Sequence, residues 1–530
     1  MTPTFGTLDW CVVALYGVAL VATGLIFTPR KTSSANEYFL AGGQIPSWLA
    51  AISVLSATQS AATFLGAPDY GYRGDYTYLS MNIAALMAAW FVATVLIPRY
   101  YALGVTTVYE LLDVRFGKAA KHAAGGMFLI GRVLAGGARV YLGAIAISMI
   151  INGSVSAQGI AVASIALVFV SFAFTFTGGL KTIIWSDLAQ FVIYVGAAVC
   201  ILIFLWTSVP SPAMSILHGL AATPDGHDKL RVLNWSFNAT EPFSLIAVVT
   251  GGFLLMVGNF GLDQDTTQRL LACKSAREGA RGAYLSVLIT ILIVWIFISI
   301  GELLYVFYER ADLMQRATAI DVGKTFHGQD VSVFMYFILT EIPSGLRGLA
   351  AVGIIAAAVS TTNSAMNAMS SVLVQDFYRP WRERHAPTQR EHYVHAGRVG
   401  MAVTGILMLG TAILSFYWQH ASNLGILEFV LSIMTYAYAG LLGVYFTVIF
   451  TERGSTTSVI VALAVGFVTI LCTQKQMIDA LGLPVALKTL AFPWQLCIGT
   501  TFAFVTCVTG RMDGQMRESV SAGRGCYANH

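Results

Sequence analysis

Charge is what this sequence lacks most. Only 11% of its 530 residues are charged, less than half of the roughly 25% usual in soluble domains, while 56% are hydrophobic and the mean hydropathy is +0.70. No polar block exceeds the loops between apolar runs, which excludes a separate soluble domain and makes the chain an integral membrane protein in a lipid bilayer. The seven cysteines (Cys11, Cys200, Cys273, Cys472, Cys497, Cys507 and Cys526) are scattered, without a CxxC pair or regular spacing, and suggest neither a disulfide framework nor a zinc site. A P-loop of the form GxxxxGK[ST] is missing, so ATP-driven transport has no support. No nucleophile or metal constellation marks an enzyme. His385, His392 and His395 sit among arginines in a polar loop and read as a solvated surface. The net charge of +4 is spread over loops and needs no nucleic-acid partner.

What the chain does have is apolar length. Runs able to cross a hydrocarbon core of roughly 30 Å recur from end to end. They predict thirteen spans: Trp10 to Phe27, Pro46 to Gly66, Thr77 to Ile97, Ala123 to Ile151, Gly159 to Phe176, Thr182 to Trp206, Phe243 to Gly261, Ala283 to Phe307, Leu346 to Val374, Arg398 to Phe416, Ile426 to Phe450, Ser458 to Cys472 and Thr489 to Val508. The first reads as an anchor, because its leading flank is uncharged and Arg30-Lys31 follow it. With the N-terminus outside, the inner segments carry 19 of the 31 Lys and Arg and the outer segments 8. The positive-inside rule therefore predicts an outer N-terminus and a cytoplasmic C-terminus. Val331 to Leu339, in a long outer loop, is too short to cross and predicts an interfacial or re-entrant helix. Asn152, Asn234 and Asn238 form N-x-S/T triplets on the outer side.

Two spans are unusually polar. In IIAAAVSTTNSAMNAMSS, helical spacing puts Ala357, Ser360, Thr361 and Ser364 on one stripe, continued by Asn367 and Ser371. Small residues let helices pack closely, and hydroxyls bond to their own backbone, so packing alone would also produce such a stripe. The earlier span from Ala51 to Gly66 concentrates Ser53, Ser56, Thr58, Gln59, Ser60 and Thr63 at its centre, which predicts an unwound segment there. Carbonyls freed inside a membrane need protein, a cavity or a cation as partner. Removing an ion from water costs on the order of 20 kcal/mol before compensation, so several oxygens must act together. A broken helix and a hydroxyl stripe would supply them. Paired, glycine-containing ends at Gly66-Ala67-Pro68 and Gly258-Asn259-Phe260-Gly261 also point to an inverted-repeat transporter.

Three ionisable groups fall within spans. Asp187 is either functional or a buried partner for Lys181 or another helix end. Arg132 and Arg139 are seven residues apart and share a face. A guanidinium fork fits a carboxylate, but either arginine could instead snorkel or pair with an acid.

Read in order, several segments together resemble the sodium/solute symporter family, which includes sodium-glucose, proline and sialic acid symporters. They are Asn36 to Gly43 (NEYFLAGG), SATQSAATFLG from Ser56 to Gly66, Gly178-Gly-Leu-Lys with Trp185-Ser-Asp187, Asp263 to Arg269 (DQDTTQR), and Ala356 to Ser364 with Asp376-Phe-Tyr378. The resemblance implies an all-α membrane fold of about thirteen helices with a five-plus-five inverted repeat and a broken first helix in each repeat. Its expected division is 1–45 (extra helix and inner loop), 46–206 (first repeat), 207–242 (outer loop), 243–450 (second repeat) and 451–530 (two C-terminal helices and tail). It implies a main sodium site on the carbonyls of Ser56, Gln59 and Ala357 and the hydroxyls of Ser360 and Thr361. A second sodium, present in some members, would fall on Asp187, Thr361, Asn363 and Ser364, with Asn363 standing where those members have serine.

The segment Asp75 to Asn82 and the Ile130-Gly-Arg132-Val run look most like the sialic acid symporters. By that likeness the solute shell takes in Thr58, Ser60, Thr63, Tyr78, Asn82 and Arg132, with Arg132 on the carboxylate and Arg139 as an added charge. The function implied is sodium-coupled import of a small organic solute by alternating access, the solute being a carboxylate-bearing sugar acid of the sialic acid kind. A neutral sugar or polyol is the alternative, and a channel or a symporter-like sensor lies further off. The implied setting is a bacterial plasma membrane, crossed many times by a monomer.

Overall fold

Backbone inside hydrocarbon must close its own hydrogen bonds, so each long apolar run has one stable choice, the helix. The computed structural model describes residues 5–27, 35–152, 155–176, 178–320, 325–326, 329–330, 332–385, 390–422 and 424–511. Arg30-Lys31, the Asn152 side chain, Cys526 and the rest of the tail beyond 511 lie outside the described residues.

The elements used below, in chain order, are α1 (Thr7–Phe27), α2 (Ser47–Thr58), α3 (Ala61–Arg73), α4 (Tyr76–Leu103), α5 (Lys118–Asn152), α6 (Ala157–Thr175), α7 (Gly179–Ser208), α8 (Leu245–Leu262) and α9 (Gln264–Leu271). They continue as α10 (Ala276–Glu309), α11 (Val333–Thr340), α12 (Leu346–Val372), α13 (Arg390–Ser422), α14 (Ile426–Phe450), α15 (Thr456–Cys472) and α16 (Phe492–Thr509). Among the described residues, ten helices are long and apolar enough to cross a membrane, or eleven when the bent pair α2 and α3 is one span. The shorter apolar helices α6 and α15 stand where the other two expected spans fall. The short α11 takes the place of the interfacial helix expected from Val331 to Leu339. The strands Thr325–Phe326 and Gln329–Asp330 pair in the loop between α10 and α11.

The polar second span breaks as expected, over a shorter stretch. Helix α2 ends at Thr58 and α3 leaves at 70° to it, so the interruption is confined to Gln59 and Ser60, both extended. Ser60 then caps α3, its Oγ accepting from the Ala62 amide at 3.2 Å. A second break mirrors the first. Helix α8 ends in one wide turn at Gly258–Leu262, Asp263 is extended (φ −85°, ψ 115°), and its Oδ1 caps α9 by accepting from the Asp265 amide at 3.0 Å.

Two close contacts fix these pieces. Helix α3 lies directly on α10 through Gly71 and Gly301, and a Cβ on Gly71 would come within 2.6 Å of the Ile298 carbonyl. Helix α12 packs among α1, α5, α7 and α13. Its N-terminus is capped from another helix: buried Asp9 of α1 accepts from the amides of Gly345 and Gly348, both at 2.7 Å, and from the Ser344 hydroxyl at 3.0 Å.

Candidate functional site

The last turn of α2 and the middle of α12 are in contact. The Ser360 hydroxyl donates to Asp187 Oδ1 at 2.6 Å, and its oxygen lies 3.3 Å from the Ser56 carbonyl. Ser56, Gln59, Ala357 and Ser360 border one void of about 10 Å³, together with Gln190 and Tyr194 of α7. That is room for a single water-sized body. Thr361 stands beside it, its hydroxyl turned onto the Ala357 carbonyl at 3.0 Å. Four of the five residues expected to form the main cation set thus border one void, and Thr361 is bonded to one of them, Ala357.

Of the partners weighed for Asp187, the structure supplies a residue at another helix end rather than Lys181. Lys181 is exposed and bears no contact to it; the partner is the fully buried Arg269 of α9, whose Nη2 lies 3.5 Å from Asp187 Oδ2. Ser53 joins the two, donating to Asp187 at 2.5 Å and accepting from Arg269 Nε at 2.8 Å. Arg269 also pairs with Asp265 at 2.8 Å and donates to the Ser364 hydroxyl. The Asn363 amide faces α6, where its nitrogen, in the orientation that satisfies both groups, donates to the Ser171 carbonyl at 2.9 Å. Of the residues weighed for a second sodium, Asp187 and Ser364 thus hold a guanidinium, and Asn363 turns away.

A cavity of about 90 Å³ opens on the other side of the break. It is lined by Thr58, Gln59, Ser60, Thr63, Tyr78, Asn82 and Arg139, and from α8 and α10 by Met256, Asn259, Phe260 and Thr290. Arg132 does not line it. Its guanidinium is held by two carboxylates, Asp263 at 3.1 Å and Asp265, and Asp263 also accepts from the Tyr438 hydroxyl at 2.6 Å. The expectation that Arg132 takes the solute carboxylate is therefore corrected: about two turns of helix, plus acids from a distant segment, separate it from Arg139. Arg139 is buried at 6% exposure. Its partners are the Ala57 carbonyl at 3.3 Å and the Met434 sulfur at 3.6 Å, its Nε has none, and among the described residues no carboxylate lies within ion-pair distance. Asp263, Asp265, Arg269, Asn259 and Thr290 were not assigned roles from sequence. Two acids and an arginine at i, i+4 beside a glycine-rich helix end were the signal available for the first three.

Beyond the cavity lies a vestibule of about 650 Å³, bordered by Asp69, Tyr70, Arg73, Tyr141 and Glu428 and meeting the cavity at Leu427. The opposite end is closed by buried polar contacts. Tyr100 donates to the Gly261 carbonyl at 2.8 Å, Tyr109 to Leu262 at 2.9 Å, and the Gln264 side chain accepts from the Val108 amide at 3.0 Å. This arrangement can hold one small cation and one polar solute side by side, reachable from one face.

Comparison with known proteins agrees with that geometry. The profile of the sodium:solute symporter family matches residues 38–466. The Proteus mirabilis sodium/sialic acid symporter SiaT is 26% identical over 472 residues, covering 89% of this chain and 90% of its own length. The Aliivibrio fischeri sodium/sialic acid symporter NanT is 24% identical over 478 residues, covering 89% and 88%. A solved structure of a Na+-coupled sialic acid symporter, substrate-bound and outward-open, superposes with a TM-score of 0.77 at 24% identity, over 95% of this chain and 98% of that one.

Proposed function

The chain belongs to the sodium:solute symporter family, a family of membrane transporters rather than enzymes, and from that premise we propose that it imports a sialic-acid-like, carboxylate-bearing solute together with one sodium ion. The carrying observation is Arg139. A buried guanidinium without a carboxylate partner is strongly unfavourable, and this one borders a cavity rimmed by the hydroxyls of Thr58, Ser60 and Thr63 and the amide of Asn82. A sugar acid matches that lining: its carboxylate answers the fork, and its hydroxyls answer the rim. The names of SiaT and NanT support the same solute class.

Sodium enters as cargo. In this reading the carbonyls of Ser56, Gln59 and Ala357 and the hydroxyls of Ser360 and Thr361 hold it, cross-linking the broken α2 to α12 and so ordering Thr58 and Ser60 for the solute. The corner weighed for a second sodium is served by Arg269, which supports a count of one. The vestibule is the outer entrance, and the contacts around Asp263 are the closed inner gate. Residues 46–206 and 243–450 are the two inverted halves, each opening on its broken helix. The N-terminus is outside, the tail is cytoplasmic, and a monomer suffices.

The test is uptake into proteoliposomes. Radiolabelled sialic acid should accumulate when sodium is supplied outside and not when choline replaces it. Sodium-dependent accumulation of labelled glucose or a labelled polyol, with none of sialic acid, would instead select the neutral-solute reading.

A further inference from the structure

Symport requires ion and solute to sense each other, and this inference rests on the function proposed above. Among the described residues, Gln59 alone borders both the ion-sized void and the solute cavity. It occupies the first extended position after α2 and is 8% exposed, and its Oε1 is buried without a hydrogen-bond partner. Gln190 of α7, which borders only the void, also has its amide atoms buried without a partner, whereas two glutamines near the second break are bonded. Gln264 Oε1 accepts from the Val108 amide at 3.0 Å, and Gln268 Oε1 accepts from Asn367 at 3.4 Å. Gln59 has no such bond, and an unpaired buried acceptor is unfavourable until something donates or coordinates to it.

A carboxamide suits this border. Its oxygen is an acceptor and its nitrogen carries two donors, so one planar group can face a cation with one end and an anionic or hydroxylated solute with the other. We propose that the Gln59 side chain is the coupling ligand, with Oε1 coordinating sodium beyond the main-chain carbonyl expected there and Nε2 donating to the solute. Each ligand then orients the amide for the other. An aliphatic side chain at this position would leave the two cavities insulated from each other.

The experiment uses the full chain in nanodiscs, with sialic acid titrated calorimetrically in sodium or choline chloride, and with thermal unfolding in each salt without solute. For the natural protein, sodium should tighten sialic acid binding by about tenfold or more, within the range of typical coupling. For Gln59→Leu, sodium alone should still raise the unfolding temperature, since the remaining oxygens persist, while the tightening falls below about threefold. Gln59→Glu, which keeps an oxygen for sodium but loses the amide donor to the solute, should retain the sodium stabilisation and still show tightening below about threefold. Undiminished coupling in Gln59→Leu would overturn this proposal alone, as would loss of sodium stabilisation in that variant, which would make the side chain part of the ion site only. Sialic acid binding indifferent to sodium in the natural protein would overturn the proposed function and this inference with it.

Discussion

Arg132 and Arg139 are alike in sequence and opposite in environment. Helical spacing places them on one face, and both are buried at 6% exposure or less. What separates them is Asp263 and Asp265, brought from more than 120 residues away to neutralise Arg132 alone. Substitution should expose the difference. In Arg139→Gln, the KM for sialic acid should rise at least about thirtyfold, since truncating one partner of a buried charge pair costs about 2–5 kcal/mol, while the unfolding temperature without solute stays near that of the natural chain. Arg139→Lys should recover part of the affinity, because a point charge lacks the fork. Arg132→Gln should do the reverse, leaving Asp263 without a cationic partner while Asp265 keeps Arg269, and losing about 3–5 kcal/mol of stability, readable as a fall in unfolding temperature with or without solute. Equal effects of the two variants on KM would refute the assignment. The sequence offered no means of ranking the pair, because burial and pairing are properties of neighbours rather than of spacing.

At the level of elements, the two half-broken helices were legible and their supports were not. A run of six polar residues within a span can be read as an interruption from composition alone, since a lipid-facing helix would not tolerate it. That the break narrows to Gln59 and Ser60 follows from capping by Ser60 and from the seat of α3 on α10 at Gly71 and Gly301. Asp9 gave no hint of its role, since it lies in the first turn of a helix with little buried surface and caps a partner 336 residues away. It holds the helix that carries Ser360 and Thr361. Asp9→Ala should therefore lower stability by about 1–2 kcal/mol, the usual loss for a cap, and weaken sodium activation of uptake only through that loosening. Thermal unfolding of the purified variant, with sodium titrated, checks both. An unchanged unfolding temperature would mean the cap does not support α12.

Across the whole molecule, five of the buried charges form one chain. Arg132, Asp263, Asp265, Arg269 and Asp187 connect end to end from the second helix break to the ion-sized void, with one formal negative charge in excess that Arg139 offsets. One sodium and one solute monoanion add no net charge to this cluster, so turnover should be electroneutral. Initial uptake of sialic acid should show a Hill coefficient for sodium near one and no response to a potassium diffusion potential imposed with valinomycin. A coefficient near two, or stimulation by an interior-negative potential, would restore the second sodium and assign Arg269 a purely structural part. The sequence by itself determined the membrane class, the positions of the spans, the broken second span and the hydroxyl stripe, because hydropathy and helical period act over a few turns and need no distant partner. Only the tertiary structure decided which arginine faces the cavity, what Asp187 holds, and that Gln59 stands between two cavities. Those outcomes depend on charges and oxygens contributed by segments far apart in the chain, and inside a membrane a buried charge takes its character from whichever neighbours the packing supplies.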